Sequence, residues 1–301
     1  MTMTTDQLRT GLAAIGAQRQ AVLVEGPDAL SFLQGQISQD LEALAPGEAS
    51  WSLVLHPQGK ISAWFRITRL DNDKFVIDLD HGWADEIMTR LNRFKLRTDC
   101  EIVLAPWESL TIVGPGADDV AVDGFTHDMI TSWAGVPVRD VFGPGLALDS
   151  VTVDGVAVQP LDQASFDALR IEAGVPKMGT ELDESTIPAA AGIVEQSVSF
   201  TKGCFTGQEL VARIDSRGNN VPKRLLSLVF DGTTIPTNGA ELFADGESVG
   251  TVTSAAYSGQ MAATIGLAYI TRAADVGQAV TVQVDGATVH GVVHELPLVR
   301  G

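Results

Sequence analysis

Apolar and polar positions follow two periods along this chain, and the periods mark out its elements. Short apolar runs at 20–24 and 51–55 predict strands. Between them, Gly26-Pro27-Asp28 reads as a turn leading to a helix N-cap. Ala29, Leu30, Phe32 and Leu33 follow at helical spacing, and Gly35 marks the expected end. Residues 61–69 and 74–80 are apolar or alternating around Asp71-Asn72-Asp73, which is hairpin chemistry. Ala84, Ile87, Met88, Leu91 and Phe94 fall on one helical face that ends in the basic turn Lys95-Leu96-Arg97. Residues 101–104 and 110–114 read as strands. Asp162 is expected to cap a helix carrying Phe166, Leu169 and Ile171, closed by Gly174 with Pro176 beyond. The mixture predicts an α+β fold.

The tail has a different texture. Strand-like segments at 224–230, 248–254, 262–270, 279–284 and 289–293 are punctuated by Asp231-Gly232, Asn238-Gly239, Asp245-Gly246 and Asp285-Gly286. That spacing predicts a small all-β barrel. Pro222 is the natural boundary, giving a first region of two α+β subdomains over 1–221 and a barrel over 222–301. A length of 301 residues agrees with two domains, at roughly 150 residues each.

Charge narrows the function classes. The net charge is −18, from 38 acidic and 20 basic residues. Such a chain is repelled by nucleic acids and anionic membranes unless it concentrates its basic residues. It does so twice, at 90–97 (Arg90, Arg93, Lys95, Arg97) and at 201–224 (Lys202, Arg213, Arg217, Lys223, Arg224). These islands are either anion sites or solvated helix ends. The first ten residues lack a basic flank followed by an apolar run, and no apolar stretch approaches about 18 residues, so neither a secretory signal nor a membrane span is expected. Two cysteines, Cys100 and Cys204, argue against a disulfide scaffold, and the expectation is a cytoplasmic protein with reduced thiols. The five histidines are scattered and predict no metal site. The five tryptophans lack interleaved basic residues and read as core or pocket walls.

The richest chemistry lies in Ser199-Phe200-Thr201-Lys202-Gly203-Cys204-Phe205-Thr206-Gly207-Gln208-Glu209-Leu210-Val211-Ala212-Arg213. Thr206 and Glu209 have capping-box spacing, which predicts a helix from about Gly207. Cys204 would then stand just before a helix N-terminus, with Lys202 two residues away. Both would favour a thiolate. The competing reading is a buried cysteine packed with Phe200 and Phe205.

The Lys-Gly-Cys-Phe-Thr-Gly-Gln-Glu box with Arg213 resembles the signature of the YgfZ family, folate-binding proteins of iron–sulfur cluster assembly and repair, related to the aminomethyltransferase (T-protein) of the glycine cleavage system. Gly26-Pro27-Asp28-Ala29 with Phe32-Leu33-Gln34-Gly35-Gln36 and Asp40, Leu55-His56-Pro57-Gln58-Gly59-Lys60, and Arg170-Ile171-Glu172-Ala173-Gly174-Val175-Pro176 resemble further motifs of that superfamily, in order along the chain. The resemblance implies three subdomains around a central cavity, with a C-terminal barrel. It implies tetrahydrofolate or a one-carbon derivative as ligand, and transient contact with iron–sulfur client enzymes. It points to Cys204 with Lys202 as the reacting pair. It points to Glu172 (against the pterin ring), Gln208, Glu209, Arg213, Trp64 and Lys60 as the folate set. The alternative for Glu172 is a helix-end carboxylate paired with Arg170 or Lys177. Gln34, Gln36 and Asp40 are expected to brace a helix end. Aminomethyltransferases carry an Asp pair where this chain has Ala63 and Trp64. The resemblance therefore implies folate binding without glycine-cleavage activity. The alternatives are a folate-dependent one-carbon transferase and a non-catalytic folate-binding scaffold.

Overall fold

The computed structural model describes residues 3–300. Its helices among those residues are α1 (Ala29–Gln36), α2 (Ala84–Phe94), α3 (Gln163–Glu172), α4 (Pro188–Ala191), α5 (Val194–Ser197) and α6 (Gln208–Asp215). They are interspersed with mostly antiparallel sheets, so the α+β expectation holds. None is long and apolar enough to cross a membrane. By packing, the chain divides into two compact units, each drawn from separated segments.

One unit comprises Arg19–Trp107 and Lys177–Val221. Its five-stranded sheet has the order Ala49–Leu55, Ile61–Asp71, Lys74–Asp80, Arg19–Glu25, Glu101–Leu104. Alternation sorts the side chains between two faces. Val22, Val24, Ala63, Phe65, Ile67, Phe75 and Ile77 meet Phe32 and Leu33 of α1 and Ile87 and Leu91 of α2 in one core. On the other face, Arg66 stands directly opposite Trp51 on one side and Asp78 on the other. Segment 177–221 packs on that face, where Trp64 Nε1 donates to Ser197 Oγ at 2.9 Å. Helix α1 runs one residue beyond the expected Gly35 stop and is capped by Ile37. Asp28 occupies its N-cap position, but its carboxylate accepts from Asp99 N–H at 2.8 Å instead of capping the helix.

The other unit holds the residues up to Gln18, Glu108–Pro176, and those from Pro222 onward. Its five-stranded sheet runs Gln159–Pro160, Ala13–Gly16, Glu108–Val113, Val136–Gly143, His127–Trp133. Helix α3 begins as expected, with Asp162 Oδ1 accepting from Ser165 N–H at 2.7 Å. It lays Phe166 and Leu169 against Leu8, Val113, Val136 and Val138. The tail closes into a six-stranded barrel ordered Lys223–Phe230, Ala263–Thr271, Glu247–Ser258, Glu241–Ala244, Ala279–Val284, Ala287–His294. Asp245-Gly246 and Asp285-Gly286 make its tight turns, both residues of each pair at positive φ, as a two-residue hairpin of matching twist requires. The barrel starts at Lys223, beside the boundary read from Pro222. In packing, however, it groups with 3–18 and 108–176, so the units cut across a division at 221.

Candidate functional site

The cysteine box lies in the first unit, between α5 and α6. Lys202 is buried, and its ammonium donates to the carbonyl oxygens of Gln34 at 2.7 Å, Ile37 at 2.8 Å and Gln39 at 2.9 Å. Those carbonyls lie at and just past the C-terminal end of α1, where a helix leaves acceptors unpaired. All three hydrogens of the ammonium are engaged. Lys202 thus acts as a clamp on α1, which corrects the picture of a lysine free to serve as the counter-charge of Cys204. Burial lowers its pKa to about 8, while Asp40 and Glu42 pull upward. Phe205 is buried beneath it, with Nζ 5.5 Å from the ring centroid. Gln34 braces the same corner as expected: its Nε2 donates to Asp40 Oδ1 at 2.8 Å and its Oε1 accepts from Leu41 N–H at 2.9 Å.

Cys204 is exposed, and it is a free thiol. Its packing against Phe200 and Phe205 is therefore overturned; Phe200 itself is 43% exposed. The capping box is overturned too. The N-cap of α6 is Gly207, at φ +84°, with no side-chain cap, and Gln208 Oε1 accepts from Phe205 N–H at 3.3 Å. Glycine is required at 207 because an added Cβ would lie 2.6 Å from the carbonyl oxygen of His56. Close approach recurs one turn on, where a Cβ on Gly59 would lie 2.9 Å from Leu210 Cβ. The start of α6 is thus pressed onto the 56–60 turn, which His56 and Lys60 close with a backbone bond of 2.9 Å. Lys60, Glu209 and Arg213 are exposed on this unit.

Trp64 is only 4% exposed. Its ring stacks on Trp51 at 3.9 Å between centroids, so it is a wall of the unit's interior. Ala63 is buried in the core on the opposite face. The two positions at which the resemblance implies an Asp pair in aminomethyltransferases hold buried apolar side chains here.

The sequence reading missed a buried charged cluster beside Trp51. Arg66 Nε donates to Asp78 Oδ1 at 2.9 Å and Arg19 Nε to the same oxygen at 2.6 Å. Both guanidinia lie near the face of Trp51, at 5.8 Å for Arg19 and 5.6 Å for Arg66. Burial pushes the Asp78 carboxyl upward, but Arg66 and Arg19 more than reverse this and hold it below the usual carboxylate range. The signal was available: Arg66 and Asp78 each interrupt an apolar strand, in hairpin partners whose register sets them face to face.

Glu172 belongs to the other unit. It is fully buried at the end of α3, and Ser258 Oγ donates to its Oε1 at 2.6 Å while Arg9 Nη2 approaches its Oε2 at 3.4 Å. The expected alternative partners, Arg170 and Lys177, are not the ones found. Arg170 donates instead to the Val175 carbonyl at 2.7 Å and Ser254 Oγ at 2.8 Å. Among the described residues no three His, Cys, Asp or Glu side chains gather as a metal-ligand group.

Residues 11–140 match the GCVT N-terminal domain, and residues 223–299 match the glycine cleavage T-protein C-terminal barrel domain. The chain is a YgfZ-like member of the glycine cleavage T-protein family. It is 25% identical over 317 residues to an aminomethyltransferase of Lysinibacillus sphaericus, covering 93% of this chain and 84% of that one. It is 29% identical over 244 residues to a mitochondrial iron-sulfur cluster assembly factor IBA57 homolog of Phaeosphaeria nodorum, covering 75% of this chain and 57% of that protein. The aminomethyltransferase T of the Bartonella henselae glycine cleavage system shares the fold, with a TM-score of 0.85 at 22% identity over 98% of this chain and 89% of its own. The T-protein-like fold with its C-terminal barrel is thereby the fold of this YgfZ-like chain.

Proposed function

We propose that this YgfZ-like protein binds tetrahydrofolate or a one-carbon derivative and assists the assembly or repair of iron–sulfur clusters in client enzymes of the cytoplasm. Cys204 is the reacting group. The observation that carries this reading is the thiol itself: exposed, and set on a loop held at one end by the Lys202 clamp and at the other by the Gly207 contact. A cysteine with no packing role, in so restrained a loop, suits contact with a partner. The similarity to a named cluster assembly factor supports the same direction. A single thiolate cannot hold a cluster alone, so the contact is transient or shared with ligands of the client.

The folate assignment rests on the family. Glu172 does not offer a pterin a free carboxylate edge, because both of its oxygens are engaged inside its own unit. Lys60, Gln208, Glu209 and Arg213 remain the exposed or half-exposed polar groups proposed for folate recognition.

The deciding experiment replaces Cys204 with Ala in a deletion strain and measures client cluster-enzyme activity. Loss of rescue is expected; full rescue would remove the thiol from the function. The second reading, one-carbon transfer, is favoured by the similarity to aminomethyltransferases along 93% of the chain. A glycine-cleavage assay with this chain in place of the T-protein tests it. No turnover is expected, because Ala63 and Trp64 provide no carboxylate for proton handling.

A further inference from the structure

The Cys204 loop is joined through Lys202 to Gln34, in the last turn of α1. In that same turn Gln36 Oε1 accepts from Arg90 Nη1 at 3.3 Å, which links the ends of α1 and α2. Arg90 in turn covers the ring of Phe94 at 3.9 Å. A continuous stretch of one unit therefore leads from the cysteine loop to the end of α2. This stretch leaves Phe200 43%, Phe94 46% and Leu96 80% exposed. Arg93 and Arg97 are exposed among them. Neither arginine forms an ion pair among the described residues, and the acids of α2, Asp85 and Glu86, stand at its opposite end. Exposed aromatics and arginines are the residues that dominate the centres of protein interfaces.

We propose that this end of α1 and α2 is the docking surface for a client protein whose contacting face is acidic, and that docking brings the client to Cys204. The inference rests on the role given to Cys204 above. Charge complementarity selects the occupant. Arg90, Arg93, Lys95 and Arg97 concentrate positive charge at 90–97, with Asp99 the first acid beyond, on a chain of net charge −18. A second copy docking by the same face would set arginine against arginine, and an extended anionic bilayer would meet the remaining negative charge.

The test uses the full chain and a purified [4Fe–4S] hydro-lyase whose activity falls in the deletion strain. The Arg93→Glu/Arg97→Glu double variant should keep the wild-type melting temperature and the wild-type rate of Cys204 alkylation by iodoacetamide. Its affinity for the hydro-lyase, and its yield of photo-crosslinks from a benzophenone amino acid placed at position 96, should fall about tenfold or more, as should wild-type affinity in about 0.5 M salt. Cys204→Ala should bind as wild type while failing to support client activity. Wild-type affinity of the double variant would overturn the docking surface whatever the cysteine variant does. Full rescue by Cys204→Ala, with binding lost in the double variant, would instead remove the thiol and keep the surface. Sedimentation of the wild type, but not the double variant, with phosphatidylglycerol vesicles would also overturn it, as would self-association abolished by the double variant.

Discussion

Lys202 Nζ donates to the carbonyl oxygen of Ile37 at 2.8 Å, across 165 residues of sequence. With the bonds to Gln34 and Gln39 it fastens the cysteine box to the end of α1. Lys202→Met should leave three acceptors without their donor and cost about 2–3 kcal/mol, read from urea unfolding. Its pH dependence has a definite sign. The folded-state pKa is lowered to about 8, against about 10.4 in the unfolded chain. Between these values the unfolded chain binds more protons, so this residue's contribution to stability rises with pH through that window. The gap in unfolding free energy between wild type and Lys202→Met should widen from pH 8 to pH 10. A constant gap would show that burial does not perturb the ammonium.

Asp78 behaves in the opposite sense. Its carboxylate neutralises Arg19 and Arg66 inside the sheet, and Asp78→Asn should cost about 3–5 kcal/mol at pH 7 by leaving buried guanidinia uncompensated. The folded-state pKa is depressed. The contribution is therefore complete above the unfolded value of about 3.9 and disappears as pH falls through the folded one. Acid titration of wild type and Asp78→Asn should converge below about pH 4.

Gly207→Ala tests the contact between α6 and the 56–60 turn. A Cβ at φ +84° would press on the His56 carbonyl, and a loss of about 1–3 kcal/mol is expected. Faster alkylation of Cys204 should accompany it, because the loop loses one of its two anchors. An unchanged alkylation rate would show that the Lys202 clamp alone holds the loop.

Cys204→Ser should leave stability within about 0.5 kcal/mol of wild type, since the residue is exposed. Client cluster-enzyme activity should nonetheless fall. Parallel loss of stability and activity would mean that the side chain is structural.

Glu172→Gln separates a folding role from a ligand role. Losing the charge opposite Arg9, and the strong acceptor for Ser258, should lower stability by about 1–3 kcal/mol. A tetrahydrofolate titration should give equal affinity for wild type and variant, because both carboxylate oxygens are already engaged inside the unit; a loss of affinity would return Glu172 to the pocket.

Much of this was readable from the chain. The hairpin at Asp71-Asn72-Asp73, the amphipathic α2 and the Asp-Gly turns of the barrel are local events, in which period and turn chemistry decide the outcome. The strand His127–Trp133 was not anticipated, because exposed and half-buried residues alternate there without a clear apolar face. The partners of Lys202 and Glu172 were invisible for another reason. Gln34 lies 168 residues from Lys202, and Arg9 lies 163 from Glu172. No local pattern records which distant carbonyl or guanidinium will close on a side chain. The Cys204 box was legible as chemistry but misread as a capped helix start, because Gly207 takes the N-cap through its left-handed backbone.

The segmented second unit bears on how the chain is made. The strand Ala13–Gly16 must wait for Glu108–Val113 and Gln159–Pro160 to be synthesised before it has neighbours. Glu172 receives the N–H of Val299 only after the whole barrel has been synthesised. That unit cannot close until its last segment has been made, and its early strands stay open to chaperones until then.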